Sequence, residues 1–323
     1  MQLKKFFNFT CEDGEYYKKY HFQILGIRFK IGRQNLSNKK IKSLNSKYEE
    51  DNISDIPNVI SLQETLYELI NTDKSISRYG DGEFDLIFGK DLPFQTYSED
   101  LALRLKEILH SNNSNLIVAI PDIFNSLEKY TECDKFFWRK YIVYNRDRIN
   151  RLLDFNKKYY DTEVSRPYMG IKDKSGCKKY FEDFKKVYAD KDIIFVEGEA
   201  SRLGYKNDLF SGARSIKRII CPAKNAFDKY DEILETCKKF ASENTLFIIA
   251  LGPTATVLAF DLANAGYRAL DLGHIDVEYE WYLMGAKKKV PIKNKYVNEV
   301  KHGRKITVIE DENYLNEIIA NLA

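Results

Sequence analysis

The sequence lacks paired cysteines. Its five cysteines are scattered over 323 residues, with no Cys-x-x-Cys pair and no histidine at metal-ligand spacing. Disulfide frameworks and cysteine zinc sites need such pairs, so neither is expected. We interpret all five as reduced structural thiols, since free cysteine is commonly buried: Cys11, Cys133, Cys177, Cys221 and Cys237.

Long apolar runs are also missing. The longest, residues 246–251, is too short to span a bilayer, and the first residues do not form an apolar secretory signal. We therefore expect a cytoplasmic protein. A lysine-rich stretch, residues 287–305, is interpreted either as a solvated face or as a peripheral contact with the anionic inner face of the membrane.

Neither sign of charge dominates. The 51 Lys and Arg residues nearly balance the 48 Asp and Glu residues, and no basic stripe is interleaved with aromatic residues. Nucleic acid is therefore not an expected partner. Because 44% of the residues are hydrophobic, the chain has enough apolar material for a globular core.

Three regions are predicted along the chain. Two strand-like runs, 4–9 and 20–30, flank a turn-rich stretch and indicate a small N-terminal β-hairpin module over residues 1–34. Residues 35–58 are rich in Asn, Ser and Lys, which is typical of a linker. The remaining residues, 59–323, are predicted to form one large domain.

The large domain alternates helices with short apolar strands. Ser61 with Glu64 three positions later matches a helix-capping box. Apolar strands separated by helices indicate an α/β fold, a Rossmann-like, doubly wound and mainly parallel sheet. We predict strands at 75–78, 116–120, 193–196, 216–221, 246–251 and 268–272, and helices at 83–88, 98–109, 177–188, 225–240 and 254–265.

The loop after the first of these strands carries two carboxylates between glycines. Ligands of an open parallel sheet bind beyond the carboxyl ends of its strands. Two carboxylates on a tight turn can share one hard cation, whereas on a helix they would point nearly opposite ways. The alternative is an ordinary turn that caps a helix. The loop predicts a Mn²⁺ or Mg²⁺ site at Asp81 and Glu83, with Arg78, Gly80 and Gly82 contacting a pyrophosphate.

Later loops add candidate ligands of a nucleotide sugar. Glu197 is predicted to bind a sugar or ribose hydroxyl, and Arg202 a phosphate; a surface ion pair is the alternative. Thr254 is predicted as a helix N-cap beside phosphate or base, although capping alone would also explain it. Arg166, in an Arg-Pro-Tyr loop, is a weaker candidate for the donor phosphate or the acceptor.

Polar residues alternate after the last predicted strand. In an extended segment, His274, Asp276, Glu278 and Glu280 would share one face. Direct displacement in a sugar transfer needs a base for the acceptor hydroxyl. We predict Asp276 as the base, Glu278 as the second choice, and His274 as an orienting partner or further metal ligand.

Taken in order, these motifs resemble the former domain of unknown function 1792, now the GT-D glycosyltransferases. The resemblance covers about residues 60–286. It rests on the segments 77–84, 166–168, 196–199, 207–210, 218–223, 251–259 and 273–281.

The resemblance implies a Rossmann-like fold distinct from the two common glycosyltransferase folds. It also implies a UDP-sugar donor, a divalent metal, and an Asp-x-Glu motif on Asp81 and Glu83. The acceptor would be a glycan or a lipid-linked oligosaccharide in surface polysaccharide or glycoprotein glycan synthesis. Residues 1–34 are similar to a small module of capsule and lipooligosaccharide enzymes, whereas residues 124–162 match nothing in the family, so acceptor choice is expected there.

Other nucleotide-using enzymes are disfavoured by motifs that the chain does not contain. No Gly-x-Gly-x-x-Gly follows a strand, and a P-loop and a Gly-x-Ser-x-Gly elbow are missing too. Two alternatives stay open. One is a metal-dependent nucleotide-sugar phosphohydrolase acting through Asp81 and Glu83, and the other is a non-catalytic scaffold that binds sugar nucleotides.

Overall fold

The computed structural model describes residues 6–12, 15–24, 27–35, 38–51, 56–300, 302–303 and 308–323, with side chains from residues 43–49 and from residue 56 onward. The chain divides into two compact units. The first unit comprises Met1–Ile56 and Ile123–Asp147, and the second comprises Pro57–Asp122 and Arg148–Ala323.

The first unit contains three antiparallel strands in the order β1 (Phe6–Glu12), β2 (Glu15–Ile24) and β3 (Ile27–Asn35). The predicted two-strand hairpin is therefore wrong in strand number, because the predicted run 20–30 is divided between β2 and β3. Gly26 lies inside that run, and glycine weakens a continuous strand.

The predicted linker contains helix α1 (Asn38–Asp51). Among the residues of α1 whose side chains are described, Leu44 and Tyr48, one helical turn apart, are both buried. The Tyr48 hydroxyl donates to the Ile123 carbonyl at 3.2 Å. The first unit also holds most of helix α5 (Glu132–Asn150).

The second unit is built on a nine-stranded sheet in which every pairing is parallel. All six predicted strands are present. The three strands that the prediction missed, β4, β7 and β12, have only three or four residues each, too few to show a hydrophobic pattern. The strands are β4 (Asn58–Ile60), β5 (Ser75–Arg78), β6 (Leu116–Ile120), β7 (Lys158–Asp161), β8 (Asp192–Gly198), β9 (Ser215–Cys221), β10 (Thr245–Ala250), β11 (Arg268–Asp271) and β12 (Ile318–Asn321), in the spatial order β12-β9-β8-β10-β11-β5-β6-β7-β4.

Helices cover both faces of this sheet. On one face, α8 packs on β5 and β11 and contacts α4 and α7; on the other, α2 contacts α6. The fold is therefore doubly wound, as predicted. Within the described residues, no helix combines the length and the apolar composition needed to cross a membrane. The helices are α2 (Leu62–Asn71), α3 (Asp81–Ile87), α4 (Glu99–Leu109), α6 (Cys177–Phe184), α7 (Tyr230–Phe240), α8 (Pro253–Asn264), α9 (Ile275–Leu283) and α10 (Glu312–Glu317).

The core lies between the sheet and α2, α6 and α9. Ile193 and Phe195 of β8 join this cluster, and the alternation of side chains along a strand turns Ile194 to the opposite face, where it is also buried. The predicted capping box at the start of α2 is confirmed: the Ser61 hydroxyl accepts from the Glu64 N–H at 3.3 Å, and the Ser61 N–H donates back to Glu64 Oε2 at 3.3 Å.

The cysteines differ sharply in exposure. Cys177, Cys221 and Cys237 are buried, whereas Cys133 is exposed. Burial raises the pKa of the Cys221 thiol to about 12 and raises the pKa of the other two buried thiols as well. Because the thiolate is the reactive form, iodoacetamide at pH 8 should label Cys133 well before these three, as measured by peptide mass spectrometry. Equal labelling rates in the native chain would contradict this, and labelling in urea gives the unprotected reference.

Candidate active site

Arg78 and Asp271 join the ends of two neighbouring strands. Arg78 ends β5 and Asp271 ends β11. The Arg78 Nη2 lies 2.9 Å from Asp271 Oδ1, and its Nε–H donates to the Asp271 carbonyl at 2.5 Å. A Cβ at residue 273 would lie 2.6 Å from the same Nη2, and Gly273 has a φ of +42°, so this position needs glycine. Arg78, the predicted pyrophosphate ligand, therefore ties two strands together.

Asp81 and Glu83 lie in the first turn of α3. The prediction placed them on a non-helical turn where both carboxylates would converge, and that geometry is wrong, because residues two apart on a helix point nearly opposite ways. Glu83 Oε2 accepts from the Gly80 N–H at 2.7 Å, while Asp81 is exposed. Desolvation and the nearby Asp271 raise the pKa of Glu83 to about 7. Desolvation also raises the pKa of Asp81, and Arg166 opposes that rise.

This arrangement bears on the predicted metal ion. Among the residues that the structure describes, no three His, Cys, Asp or Glu side chains are grouped so as to hold a metal. Asp81 is an exposed residue, although desolvation raises the pKa of its carboxyl, whereas Glu83 accepts from the Gly80 N–H. Asp81 alone could offer a carboxylate to an ion such as Mg²⁺, which takes one or two carboxylates and completes its shell with substrate phosphates and water. Asp81 and Glu83 do not form an all-protein cage, and the metal ion stays a prediction.

A second group of charged residues is centred on Glu299. Arg166 Nη2 donates to Glu299 Oε1 at 2.8 Å, Lys289 Nζ lies 2.5 Å from Glu299 Oε2, and His274 Nε2 lies 3.3 Å from Glu299 Oε1. We call Arg166, His274, Lys289 and Glu299 the Glu299 cluster. Burial would raise the pKa of Glu299, but Arg166, His274 and Lys289 hold it far below its usual value. Asp81 interacts electrostatically with both Arg166 and Glu299 of this cluster.

The hydrogen bonds of His274 define its tautomer. Arg166 Nη2 lies 3.0 Å from His274 Nδ1. Because a guanidinium can only donate, Nδ1 accepts and the ring proton is on Nε2, directed at Glu299. Desolvation, with the positive charge of Arg166, lowers the pKa of His274 to about 3.

His274 should therefore remain neutral and Nε2-protonated from pH 5 to pH 9, since a lowered pKa leaves the ring uncharged at every pH above about 3. Two-bond ¹H–¹⁵N correlation spectra of the imidazole rings would show this, with H274N identifying its signals. A titration midpoint between 6 and 7 would contradict the assignment.

The segment predicted to be extended is helix α9. Asp276 and Glu280, one turn apart, each lie 2.7 Å from Lys295 Nζ. Glu278 points elsewhere, and its Oε2 accepts from the N–H groups of Tyr168 and Met169. The four polar residues thus do not share one face. The alternation of polar and apolar residues suggested an extended segment. It is equally compatible with a helix in which each buried polar side chain has its own hydrogen-bond partner.

Neither predicted base reaches the surface. Asp276 and Glu278 are each 1% exposed. Besides Lys295, Asp276 accepts from the Asn207 side chain at 2.8 Å and from the Gly204 N–H at 2.9 Å. Both carboxylates are thus engaged by buried partners, which gives no support to the prediction that either acts as a base. Lys295, predicted within a solvated or membrane-facing stretch, is likewise 1% exposed.

Glu197 and Arg202 are engaged inside the protein. Glu197 is fully buried, with Oε1 2.6 Å from Arg218 Nη1 and Oε2 accepting from the Leu203 N–H at 2.7 Å. Arg202 donates to the Asn294 carbonyl at 2.8 Å. The predicted contacts with a sugar hydroxyl and a phosphate therefore have no support in this geometry.

Thr254 is the second residue of α8 and not its N-cap. Gly252 takes the N-cap position with a φ of +54°, and Pro253 begins the helix. A Cβ at residue 252 would lie 2.9 Å from Phe94 Cε2, so this tight turn also excludes a side chain. The Thr254 side chain is fully buried. Its predicted contact with phosphate or base stays a prediction.

The structure thus brings together part of the predicted site. Five of the predicted residues lie at the carboxyl ends of β5, β7 and β11: Gly80, Asp81, Glu83, Arg166 and His274. Gly82 lies between Asp81 and Glu83 in the first turn of α3. Sequence reasoning missed three members: Asp271, Lys289 and Glu299. Asp271 is the last residue of β11 but lies inside the predicted strand 268–272, so the rule that ligands bind just after a strand did not single it out. Lys289 and Glu299 lie outside helices and strands, where no periodic signal marks them.

The chain belongs to the glycosyltransferase family with the GT-D fold, whose sequence profile matches residues 76–300. It is 41% identical over 268 residues to the probable glycosyl transferase Gly of Streptococcus gordonii, covering 82% of this chain and 39% of that protein. It is 39% identical over 269 residues to the glycosyltransferase GlyD of Streptococcus pneumoniae serotype 4, covering 83% of this chain and 33% of that protein. The chain thus spans about two fifths and one third of these relatives.

Solved structures agree with this assignment. One, described as the highly conserved domain of unknown function 1792 with a distinct glycosyltransferase fold, is 39% identical, with a TM-score of 0.80 over 87% of this chain and 100% of that one. Another, a new glycosyltransferase from Streptococcus sanguinis, is 40% identical, with a TM-score of 0.79 over 83% of this chain and 100% of that one. The family and fold implied by the resemblance are confirmed.

Proposed function

We propose that this chain transfers a hexose-type sugar from a nucleoside diphosphate donor, a UDP-sugar, with the help of Mn²⁺ or Mg²⁺. The observation that carries the proposal is the pair of partly exposed cationic side chains, Arg166 and Lys289, that meet at Glu299 at the carboxyl edge of the sheet. Arg166 also interacts electrostatically with Asp81. The matching family is one of glycosyltransferases, and both streptococcal relatives carry that name.

The charges of this edge suit a diphosphate leaving group. When the glycosidic bond of the donor breaks, negative charge builds on the pyrophosphate. Arg166 and Lys289 would donate charge-assisted hydrogen bonds to it, and His274 holds the Arg166 guanidinium in place through Nδ1. A divalent ion on Asp81 would supply further neutralisation. Glu83 fixes the turn that carries Asp81 through its bond to the Gly80 N–H.

The acceptor is proposed from the resemblance of the sequence motifs to the GT-D family. We propose a glycan or lipid-linked oligosaccharide acceptor in surface polysaccharide or glycoprotein glycan synthesis, with the enzyme in the cytoplasm and peripheral at the inner face of the membrane. Lys287 and Lys288 are exposed, which is compatible with such a contact. We also propose residues 59–323 as the transferase region, since the family profile lies within them; residues 123–147 of this range belong to the first compact unit.

A thermal-shift screen tests the donor and the metal. UDP-, GDP-, CMP- and dTDP-sugars are added with and without Mn²⁺, and a ligand at a hundred times its Kd should stabilise the fold by about 2.7 kcal/mol. We expect UDP-sugars to raise Tm most, with a further rise in Mn²⁺. D81N should lose the manganese-dependent part only. If no nucleotide sugar shifts Tm, the proposal is wrong.

A further inference from the structure

Four ion pairs or clusters lie around the carboxyl edge, and they differ in access. Arg78–Asp271, Lys295–Asp276 and Arg218–Glu197 are buried, with at most 13% of any of these side chains exposed. In the Glu299 cluster, the side chains of Arg166, His274, Lys289 and Glu299 are 31%, 27%, 36% and 21% exposed. An incoming anion can therefore reach the Glu299 cluster and not the other three.

All three donors of the cluster point at one carboxylate. Arg166 Nη2 and His274 Nε2–H address Glu299 Oε1, and Lys289 Nζ addresses Oε2. A guanidinium, an ammonium and a neutral imidazole N–H around one small anion form the donor set that also binds phosphate oxygens. The carboxylate of Glu299 has the size and charge to occupy the place of one such group.

We propose that Arg166, Lys289 and the Nε2–H of His274 form a diphosphate site that Glu299 fills in the unliganded chain. The pyrophosphate of the donor displaces the Glu299 carboxylate and takes over its three donors. This inference rests on the proposed function for the identity of the ligand, but the anion site itself rests on the geometry of the cluster. Asp81, beside Arg166, then lies next to the incoming phosphates, where a cation would offset its negative charge.

The exchange has a thermodynamic consequence. If the binding-competent state is the one in which Glu299 has left its donors, the apparent affinity for diphosphate is reduced by the small population of that state. Removing the negative charge of Glu299 removes the group that competes with diphosphate for the three donors. A residue that merely supported Arg166 would behave in the opposite way, because its loss would leave the guanidinium poorly placed and weaken binding.

The test is calorimetric titration of the full chain with inorganic pyrophosphate in a chelator, so that no metal contributes. E299Q should bind pyrophosphate about tenfold more tightly than the unmodified chain, the effect expected from losing one charge-assisted competitor. E182Q is the matched control: Glu182 is an exposed carboxylate paired with Lys178 at 3.9 Å, so its neutralisation changes net charge equally. The affinity of E182Q should be unchanged.

A second variant keeps the proposal testable if E299Q does not fold. K289M removes one of the three donors and should weaken pyrophosphate binding about tenfold. Unchanged or weaker binding by E299Q, or unchanged binding by K289M, overturns the proposal. Tighter pyrophosphate binding by E299Q with no response to any nucleotide sugar would preserve the anion site and refute the proposed donor, so the two failures are distinguishable.

Discussion

Replacing Asp81 with asparagine should lower the rate of sugar transfer by about 10²–10³-fold, the usual cost of removing one electrostatic contact to a developing charge. The change keeps the size of the side chain and its place in the first turn of α3, but it removes the negative charge that would hold the divalent ion. The rate is measured as nucleoside diphosphate released from the donor that gives the largest thermal shift, with water or added glycan as acceptor.

Asp100 supplies the matched control for this experiment. It is exposed and, like Asp81, lies in the first turn of a helix, α4. D100N should retain full activity. If D81N transferred sugar as fast as the unmodified chain, the proposed role of Asp81 would be wrong. If D81N together with E83Q lost turnover but still complemented a deletion strain, a scaffold would be favoured over an enzyme. Release of a sugar phosphate and a nucleoside monophosphate would instead indicate a phosphohydrolase.

Replacing Arg218 with methionine should lower the free energy of unfolding by about 3–5 kcal/mol, the cost of leaving a buried charge unpaired. Its partner Glu197 is fully buried, and Arg218 also pairs with Glu317 at 2.6 Å. Methionine keeps part of the apolar stem of Arg218 but removes the guanidinium, whose central carbon lies 4.4 Å from the centroid of the Tyr314 ring. Urea unfolding at pH 8 measures the loss.

The loss should shrink at lower pH. Burial already raises the pKa of Glu197, and Arg218 opposes that rise. Without Arg218, the folded-state pKa rises further above the unfolded value, so stability falls as pH increases through that range and recovers as Glu197 is protonated. The deficit at pH 5 should therefore be smaller than at pH 8, and a deficit independent of pH would contradict this account.

A nearby surface pair gives the reference for that measurement. Arg214 pairs with Asp192, and the Arg214 side chain is 51% exposed. Solvent screens such pairs, so R214M should cost less than about 1 kcal/mol. An equal loss in R214M and R218M would show that burial does not set the cost.

Much of the sheet could be predicted from sequence because two of its inner strands, β10 and β6, are continuous apolar runs. Residues 246–251 and 116–120 consist almost entirely of apolar residues, and a strand buried on both faces must have that composition. The edge strand β4 has only three residues and is partly exposed, so no pattern distinguishes it from a loop. The same limit applies to β7 and β12.

The site was predicted less completely, for a different physical reason. The position after β5 is predictable from topology, which identifies Asp81 as a neighbour of a ligand. Arg166 is predicted only as a weaker candidate, from its Arg-Pro-Tyr loop. Whether a carboxylate faces solvent or a buried partner depends on tertiary contacts. Asp276 and Glu299 are both acidic residues near the same edge. Asp276 is buried in an ion pair with Lys295, whereas the side chain of Glu299 stays 21% exposed.

The first unit is assembled from two stretches of chain separated by 66 residues, from Pro57 to Asp122. Helix α1 is held by residues that follow this gap: Arg139 donates to Asn45 at 2.8 Å, and Tyr48 to Ile123. A ribosome must therefore synthesise beyond residue 139 before α1 gains these partners, since a unit folds only when its parts have emerged. A truncated chain that starts at residue 57 would lack α1 and keep only the second stretch of this unit, residues 123–147. N-terminal truncations should therefore not begin at residue 57.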